Sequence, residues 1–313
     1  GSVAASDLNT LDGKTTVAVD ASSVTAVTGT YADLVAAYGS AGITGLGNEA
    51  VTVSSGTMTV DQANNLASKT TGVLTGSISN TALADYAALT ETGNAYTITV
   101  ADTSVDAAAL RALDAKTTVA ITATAMTSIS GSFADVNAVL SSSGVSRSTT
   151  ADSIAVTLSG LATVSDVNTL NGITAVNAIT ATLSTGDMAT LAGLNASSGT
   201  AHAYSISLTD ASVAVDALNT LDTKTSAVIN ATGVTEVTAT STQIGALSTA
   251  YASSGISGLG NEAITITGGS ISVANANTVA ALTSGVVTAT LTSGLLSSFA
   301  SLTETGNAYT IAL

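Results

Sequence analysis

Cysteine, proline and tryptophan are absent from this chain of 313 residues. Without cysteine there is no disulfide framework and no thiolate zinc site. Aromatic side chains are scarce, with seven tyrosines and two phenylalanines, and charged residues reach only 9 %, against roughly 25 % in an average soluble domain. Positive charge is scarcest of all. Six Lys and Arg stand against 21 Asp and Glu, a net −15 at pH 7. A chain of that sign repels nucleic-acid phosphate and anionic membrane, because both require basic patches; no nucleic-acid partner is expected. Long hydrophobic runs are lacking too. Mean hydropathy is +0.49, yet the longest unbroken apolar run is residues 34–38, far short of the ~20 residues of a spanning helix. Membrane insertion is therefore not expected. Disorder is disfavoured by an apolar content of 45 %, which can bury a core. No secretory signal is read at the start; residues 1–3 read as a cloning scar or terminus, and the chain as a fragment of something longer.

What is present is repetition. Leu11-Asp12-Gly13-Lys14-Thr15 returns at 113–117 and at 221–225. Gly-Leu-Gly-Asn-Glu-Ala stands at 45–50 and 258–263, and Leu-Thr-Glu-Thr-Gly-Asn-Ala-Tyr-Thr-Ile at 89–98 and 302–311; both pairs lie 213 residues apart. Ten identical residues across that distance signal duplication. Three units follow, 4–104, 105–212 and 213–313, the middle one diverged, and together they are expected to form one continuous array. Each also halves, since Leu66-Ala-Ser-Lys69-Thr70 repeats the first motif 55 residues on.

A finer period lies beneath. Short segments with Leu, Ala and Val at helical spacing begin near Asp7, Thr30, Asp61, Thr81, Asp106, Ser132, Asp166, Asp187, Asp216, Ser241, Asn275 and Ser293, twelve in all. Between them lie alternating β-branched runs such as 50–53, 96–100, 118–124 and 264–267, the pattern of strands. The expected coil is strand, turn, shorter strand, capped helix, loop. Such a coil is too short to bury its apolar face alone and must stack on the next. The expectation is a right-handed α/β-solenoid of about twelve coils, with parallel strands and a row of short capped helices. Right-handedness follows from the crossover rule. The alternatives are three tandem α/β domains or all-β domains.

Chemistry is thinly represented. His202 is the sole histidine. It stands where the sister repeats carry Asn94 and Asn307, so it reads as a structural substitute rather than a general base or metal ligand. Gly-x-Ser-x-Gly, Walker and His-Glu-x-x-His motifs are absent. Glu49 and Glu262, with Glu91 and Glu304, could ligate an ion together with loop carbonyls, although loops in which Gly and Asn supply left-handed backbone angles explain the same motifs. The calcium loops of β-rolls and EF-hands are missing; no cofactor is expected, with calcium left open. Lys14, Lys69, Lys116 and Lys224, and the paired Asp12, Asp114 and Asp222, read as helix-end charges. No catalytic, cofactor or metal residue is assigned, and no enzyme activity is expected.

Threonine is the most suggestive residue. Thr-x-Thr recurs at 57/59, 97/99, 122/124, 180/182, 265/267 and 288/290. A regular Thr array on a flat face can order water as in ice, so an ice-binding or other ligand-binding solenoid is the rival function. Comparing residues 17–19, 51–53, 73–75 and 97–99, the Thr pair is not expected to persist between coils, and Thr then reads as an ordinary strand former.

The three repeated motifs, which together mark the whole chain, resemble those of very large, Thr/Ala/Gly-rich, acidic, cysteine-free surface or secreted proteins of bacteria, particularly marine and cyanobacterial ones. The resemblance implies extenders, adhesins or surface-layer components, often exported with calcium-binding tails whose motifs are missing here. It carries over no functional residue. The expected function is a structural spacer in a large extracellular, adhesin-like bacterial surface protein. Its partners are the neighbouring repeats, with head-to-tail self-association where end coils lack a polar cap.

Overall fold

The path from strand to helix is set by single side chains. Strand Ala26–Gly29 passes through Thr30, held extended at φ −70°, ψ 160°, into helix Tyr31–Gly39. There the Asp33 N–H donates to the Thr30 hydroxyl oxygen at 3.1 Å, and that hydroxyl donates to the Asp33 carboxylate at 2.8 Å. Ser132 and Asp135 repeat the device at helix Phe133–Ser141. Thr59 with Gln62, and Thr163 with Asp166, form reciprocal capping boxes at Val60–Ala67 and Val164–Asn171. Several expected starts therefore move by a few residues. Asp61, Asp166 and Asn275 lie inside the first turn, and the caps are Thr59, Thr163 and Ser272. In each, a hydroxyl two or three residues earlier accepts a first-turn amide instead.

In this computed structural model, which describes residues 1–197 and 200–313, helices alternate with strands along the chain. Among the described residues each of the twelve expected helical segments is present. Eleven are α-helical, and the segment near Thr81 is the 3₁₀ helix Leu83–Ala88. The order within a coil differs from expectation. The longer strand leads straight into the helix, and the two-residue strands (Val19–Asp20, Ile43–Thr44, Ile121–Thr122, Val145–Ser146, Ile229–Asn230, Ile256–Ser257) follow it. The strand expected at 118–124 shrinks to Ile121–Thr122 because the Thr117 hydroxyl accepts the Val119 N–H at 3.2 Å, bending the chain ahead of it.

The chain divides into two units, Gly1–Ile154 and Ala155–Leu313, with the boundary inside strand Ile154–Ala162. The first unit holds a parallel sheet of Ser2–Ala4, Ala26–Gly29, Ala50–Val53, Leu74–Ser77 and Ala95–Thr97, in that order. Val3, Val27, Val51 and Leu74 align in one column across its strands; of these, Val27, Val51 and Leu74 are fully buried. The second unit has a matching sheet of Ser212–Ala214, Glu236–Thr240, Ala263–Ile271, Val287–Leu291 and Ala308–Thr310, with Val213, Val237, Ile264 and Val287 as its buried column. It also pairs Val176–Leu183 with Ala203–Ser205 in parallel. All these sheets are open and none closes into a barrel. The protein is α/β, and the all-β alternative fails on the helices. Parallel neighbours need a crossover rather than a tight hairpin, and the helices supply it.

Coils are tied by side chains at fixed helical positions. In the eight-residue helices the fourth residue faces the core, as with Leu8, Ala63, Leu110, Val167, Leu218 and Ala276. The fifth reaches the next coil. Asn9, Asn64, Asn168, Asn219 and Asn277 donate to the carbonyls of Asp33, Ala88, Gly193, Ala246 and Ser301 at 2.7–3.0 Å, 24–27 residues ahead. Asn64, Asn168 and Asn277 also accept the N–H of Thr90, Asn195 and Thr303. Arg111 holds the equivalent place and pairs with Asp135 at 2.8 Å. The eighth residue makes a second tie. Asp12, Asp114 and Asp222, expected as helix-end charges, instead accept the hydroxyls of Ser40, Ser142 and Ser253 at 2.6, 3.0 and 2.7 Å. Each approach leaves room only for glycine beneath it: a Cβ on Gly42, Gly144 or Gly255 would lie 1.9–2.1 Å from the carboxylate.

Candidate functional site

Two buried glutamates come nearest to a built polar site. After helix Tyr31–Gly39 the chain turns through Gly45 (φ +86°) and Gly47 (φ +143°), conformations that disfavour side chains. That turn aims the N–H groups of Gly47 and Asn48 at one oxygen of the Glu49 carboxylate, at 2.8 and 3.1 Å, and the Tyr38 hydroxyl donates to the other. The second unit repeats the arrangement: Gly260 and Asn261 donate to Glu262 at 2.9 and 3.1 Å, and Tyr251 to its other oxygen. Burial alone would raise the Glu49 pKa, but the hydrogen bonds from Tyr38, Gly47 and Asn48 bring it below the usual value. Burial, then the bond to Glu49, pushes Tyr38 far above the ordinary tyrosine range. Tyr251 is raised in the same way by burial and Glu262.

These carboxylates are ligated by donors rather than aimed at an ion. Glu91 and Glu304, expected as possible co-ligands, are exposed on other loops. Among the described residues no group of three or more His, Asp or Glu comes together to hold a metal. The loops serve instead as seats for the next coil. Thr70 and Thr283 donate to the carbonyls of Glu49 and Glu262 at 2.6 Å, and a Cβ on Gly72 or Gly285 would come within 2.2–2.3 Å of those oxygens.

His202 is fully buried and does the work of an asparagine. Its Nδ1 accepts the Ile179 N–H at 3.1 Å, which leaves the proton on Nε2 to donate to Asn171 Oδ1 at 3.0 Å. At the sister positions Asn94 Oδ1 accepts the Leu74 N–H, and Asn307 Oδ1 the Val287 N–H, both at 2.8 Å. Burial holds the imidazole below its ordinary pKa, in keeping with a ring that must stay neutral to accept.

Two lysines of the repeated motif reach beyond their own helix ends. Lys116 Nζ donates to the Thr90 carbonyl at 2.9 Å, and Lys224 to that of Leu194, each 26–30 residues back. Beside each lies a shallow apolar groove, one lined by Leu83, Tyr86, Ala109 and Leu113, the other by Met188, Leu191, Ala217 and Leu221. Their volumes, about 220 and about 120 Å³, fall below the ~300 Å³ at which ligand pockets begin. Neither lining includes a carboxylate or histidine to act as a base beside its lysine.

The threonines align more than the strand comparison predicts. In the first unit Ala4, Thr28, Thr52, Thr75 and Ala95 form one column across the sheet. In the second unit the column is Ala214, Thr238, Thr265, Thr288 and Ala308. The pair Thr238/Thr240 faces Thr265/Thr267, so a Thr-x-Thr pair does persist into the next strand. The sequence comparison failed because, of residues 17–19, only Val19 lies in a strand, and that strand belongs to a two-residue ladder rather than to this sheet. The array remains short. A register shift between Thr265 and Ser270, with Gly268 and Gly269 at positive φ, interrupts it.

No protein-family model, curated protein or solved structure matches the chain. Sequence reasoning missed the helical asparagines and the tyrosines over the glutamates. Both carried a signal: Asn at the fifth helical residue, and Tyr eleven residues before Glu in both copies.

His202→Ala leaves the Ile179 N–H and Asn171 without their partner and is expected to cost about 1–3 kcal/mol. His202→Asn restores the sister arrangement and costs less. Because the folded pKa is depressed, the unfolded state binds the proton first. Stability is then fully present above about pH 6.5 and declines as pH falls below it. Urea midpoints of the parent and His202→Asn at pH 7.5 and 5.5 check this, with the pH-dependent loss smaller in the variant.

Proposed function

We propose that this chain is a non-catalytic spacer segment of a large extracellular, adhesin-like bacterial surface protein, its coils stacked as a right-handed α/β-solenoid. One observation carries the reading. The side chains best suited to chemistry are each engaged in holding a coil to its own loop or to its neighbour: His202, Glu49, Glu262, Asp12, Asp114, Asp222, Lys116 and Lys224. A hydrolase or lyase would need such groups convergent in one groove. The extracellular placement rests on the resemblance of the repeats and on the acidic, cysteine-free composition. No helix among the described residues is long and apolar enough to cross a membrane.

The Thr columns favour a second reading, ice binding. Their depth argues for the spacer instead: each main column is three threonines deep and ends in alanine on both sides. Thr238 and Thr267 also lie at 3.4 Å from carbonyls of the preceding strand, which occupies hydroxyls that an ice plane would need.

Twelve coils at about 4.8 Å each give a stack on the order of 55–60 Å long. A compact sphere of this length of chain is about 50 Å across in every direction. Small-angle X-ray scattering of the dilute monomer is expected to give a rod-like cross-section region and a longest dimension above the sphere's; an isotropic envelope contradicts the stack. Thermal hysteresis is expected to be absent at micromolar protein, and clear hysteresis with faceted ice would move the Thr columns from scaffold to binding site.

A further inference from the structure

The middle repeat carries a tie that alanine denies to the outer ones. Helix Val164–Asn171 ends in an asparagine, where the matching helices Val60–Ala67 and Val273–Ala280 end in alanine. Both polar atoms of that side chain are engaged. Oδ1 accepts the His202 Nε2–H at 3.0 Å, and Nδ2 donates to the Ala196 carbonyl at 2.9 Å. The residue that follows is Gly172, and Asn171-Gly172 is the only Asn-Gly pair in the sequence. Such a pair has a chemistry of its own. The asparagine amide carbon lies within reach of the next backbone nitrogen, and glycine puts no Cβ in the path.

Three hydrogen bonds hold that reaction off in the closed helix end. The Gly172 N–H donates to the Asn168 carbonyl at 3.1 Å, with backbone angles of φ −73° and ψ −10°. His202 and Ala196, from 25 to 31 residues ahead, pin the amide itself. A helix end is where local opening begins, because its last carbonyls have no partner within the helix. When it opens, all three holds are released together.

We propose that Asn171 is a self-modification site, converted to aspartate or isoaspartate by the Gly172 backbone nitrogen whenever this helix end opens. The nitrogen, its proton lost to base in the solvent, forms a bond to Asn171 Cγ. The Cγ–Nδ2 bond breaks, and Nδ2 leaves as ammonia with a proton taken from water. Water then opens the cyclic imide. Cleavage of the newly made N–Cγ bond gives aspartate; cleavage of the original peptide bond gives isoaspartate, with the main chain rerouted through the side chain. Overall, an amide and water become a carboxylate and ammonium, with no oxidant or cofactor. In the aspartate product one oxygen keeps the His202 N–H, whereas the other meets the Ala196 carbonyl, acceptor against acceptor. Conversion therefore weakens the tie whose opening permitted it and leaves a one-way record of that opening. The site is independent of the spacer reading.

Peptide mapping by mass spectrometry on the full chain, aged at mildly alkaline pH, tests it. Conversion is expected at Asn171 ahead of every Asn-Ala pair in the chain. Gly172→Ala, alanine being the residue at 115 and 281 after two other eight-residue helices, is expected to bring the rate down to that of the Asn-Ala pairs. His202→Ala frees the amide and is expected to accelerate conversion at least about fivefold, the factor that one lost buried hydrogen bond gives an opening equilibrium. Asn94→Ala removes the matching acceptor from the first unit and leaves the Asn171 rate unchanged, which separates local opening from a general loss of stability. Conversion at Asn171 no faster than at the Asn-Ala pairs, or a rate that His202→Ala leaves unchanged or slows, overturns the proposal. Equal acceleration by Asn94→Ala overturns it as well.

Discussion

A coil of about two dozen residues cannot bury enough apolar surface to stand alone, so everything in this protein depends on what one coil presents to the next. Valine, leucine and isoleucine columns supply the attraction, yet they are indifferent to register; a slip of one residue along a strand would exchange buried and exposed faces. Polar side chains fix the register. Asn64 spans to both the Ala88 carbonyl and the Thr90 N–H, and Asp12 reaches Ser40, where Gly42 alone lets the carboxylate in. Unpaired, these buried or half-buried groups would each be costly. Matched, they permit a single register.

The same logic explains why the chemistry looks sparse. A carboxylate becomes catalytic when its environment leaves it free to act, and Glu49 is already engaged by two backbone N–H groups and a tyrosine hydroxyl. His202 is held neutral between a backbone amide and Asn171. Threonine hydroxyls at 117 and 225 lie at the repeat junctions, each bonded to both the N–H and the carbonyl of a tyrosine. The proposed spacer role calls for this kind of closure, because every satisfied tie resists local opening.

Much of this was legible in the sequence, and the reasons are particular. The exact recurrence of 89–98 at 302–311 announced the repeat, β-branched alternation announced the strands, and the Ser, Thr and Asp caps announced the helices to within a few residues. His202 was readable as a stand-in for Asn94 and Asn307 because the repeats align there. What escaped was long-range by nature. The partners of Asn9, Asp12 and Lys116 lie 24–28 residues away, a distance that no local helix-dipole argument spans, so Asn9 went unread and the two charges were assigned to their own helix ends. The order of short strand and helix was lost because Thr117 diverts a run that otherwise looks like seven residues of strand. The Thr columns were misjudged because pairing depends on which strands are neighbours, and Val19–Asp20 pairs with Ile43–Thr44 instead.

If side-chain ties between coils hold the register, removing one should loosen its neighbours and little else. Native-state hydrogen exchange on Asn64→Ala measures this directly. The Thr90 amide and the helix Leu83–Ala88 beside it should lose at least about tenfold in protection, a factor set by the ~1–3 kcal/mol cost of unpaired partners, while strand Ala26–Gly29 keeps its own. Unchanged protection at Thr90 and across Leu83–Ala88 would show that the apolar columns set the register alone, and would contradict the account.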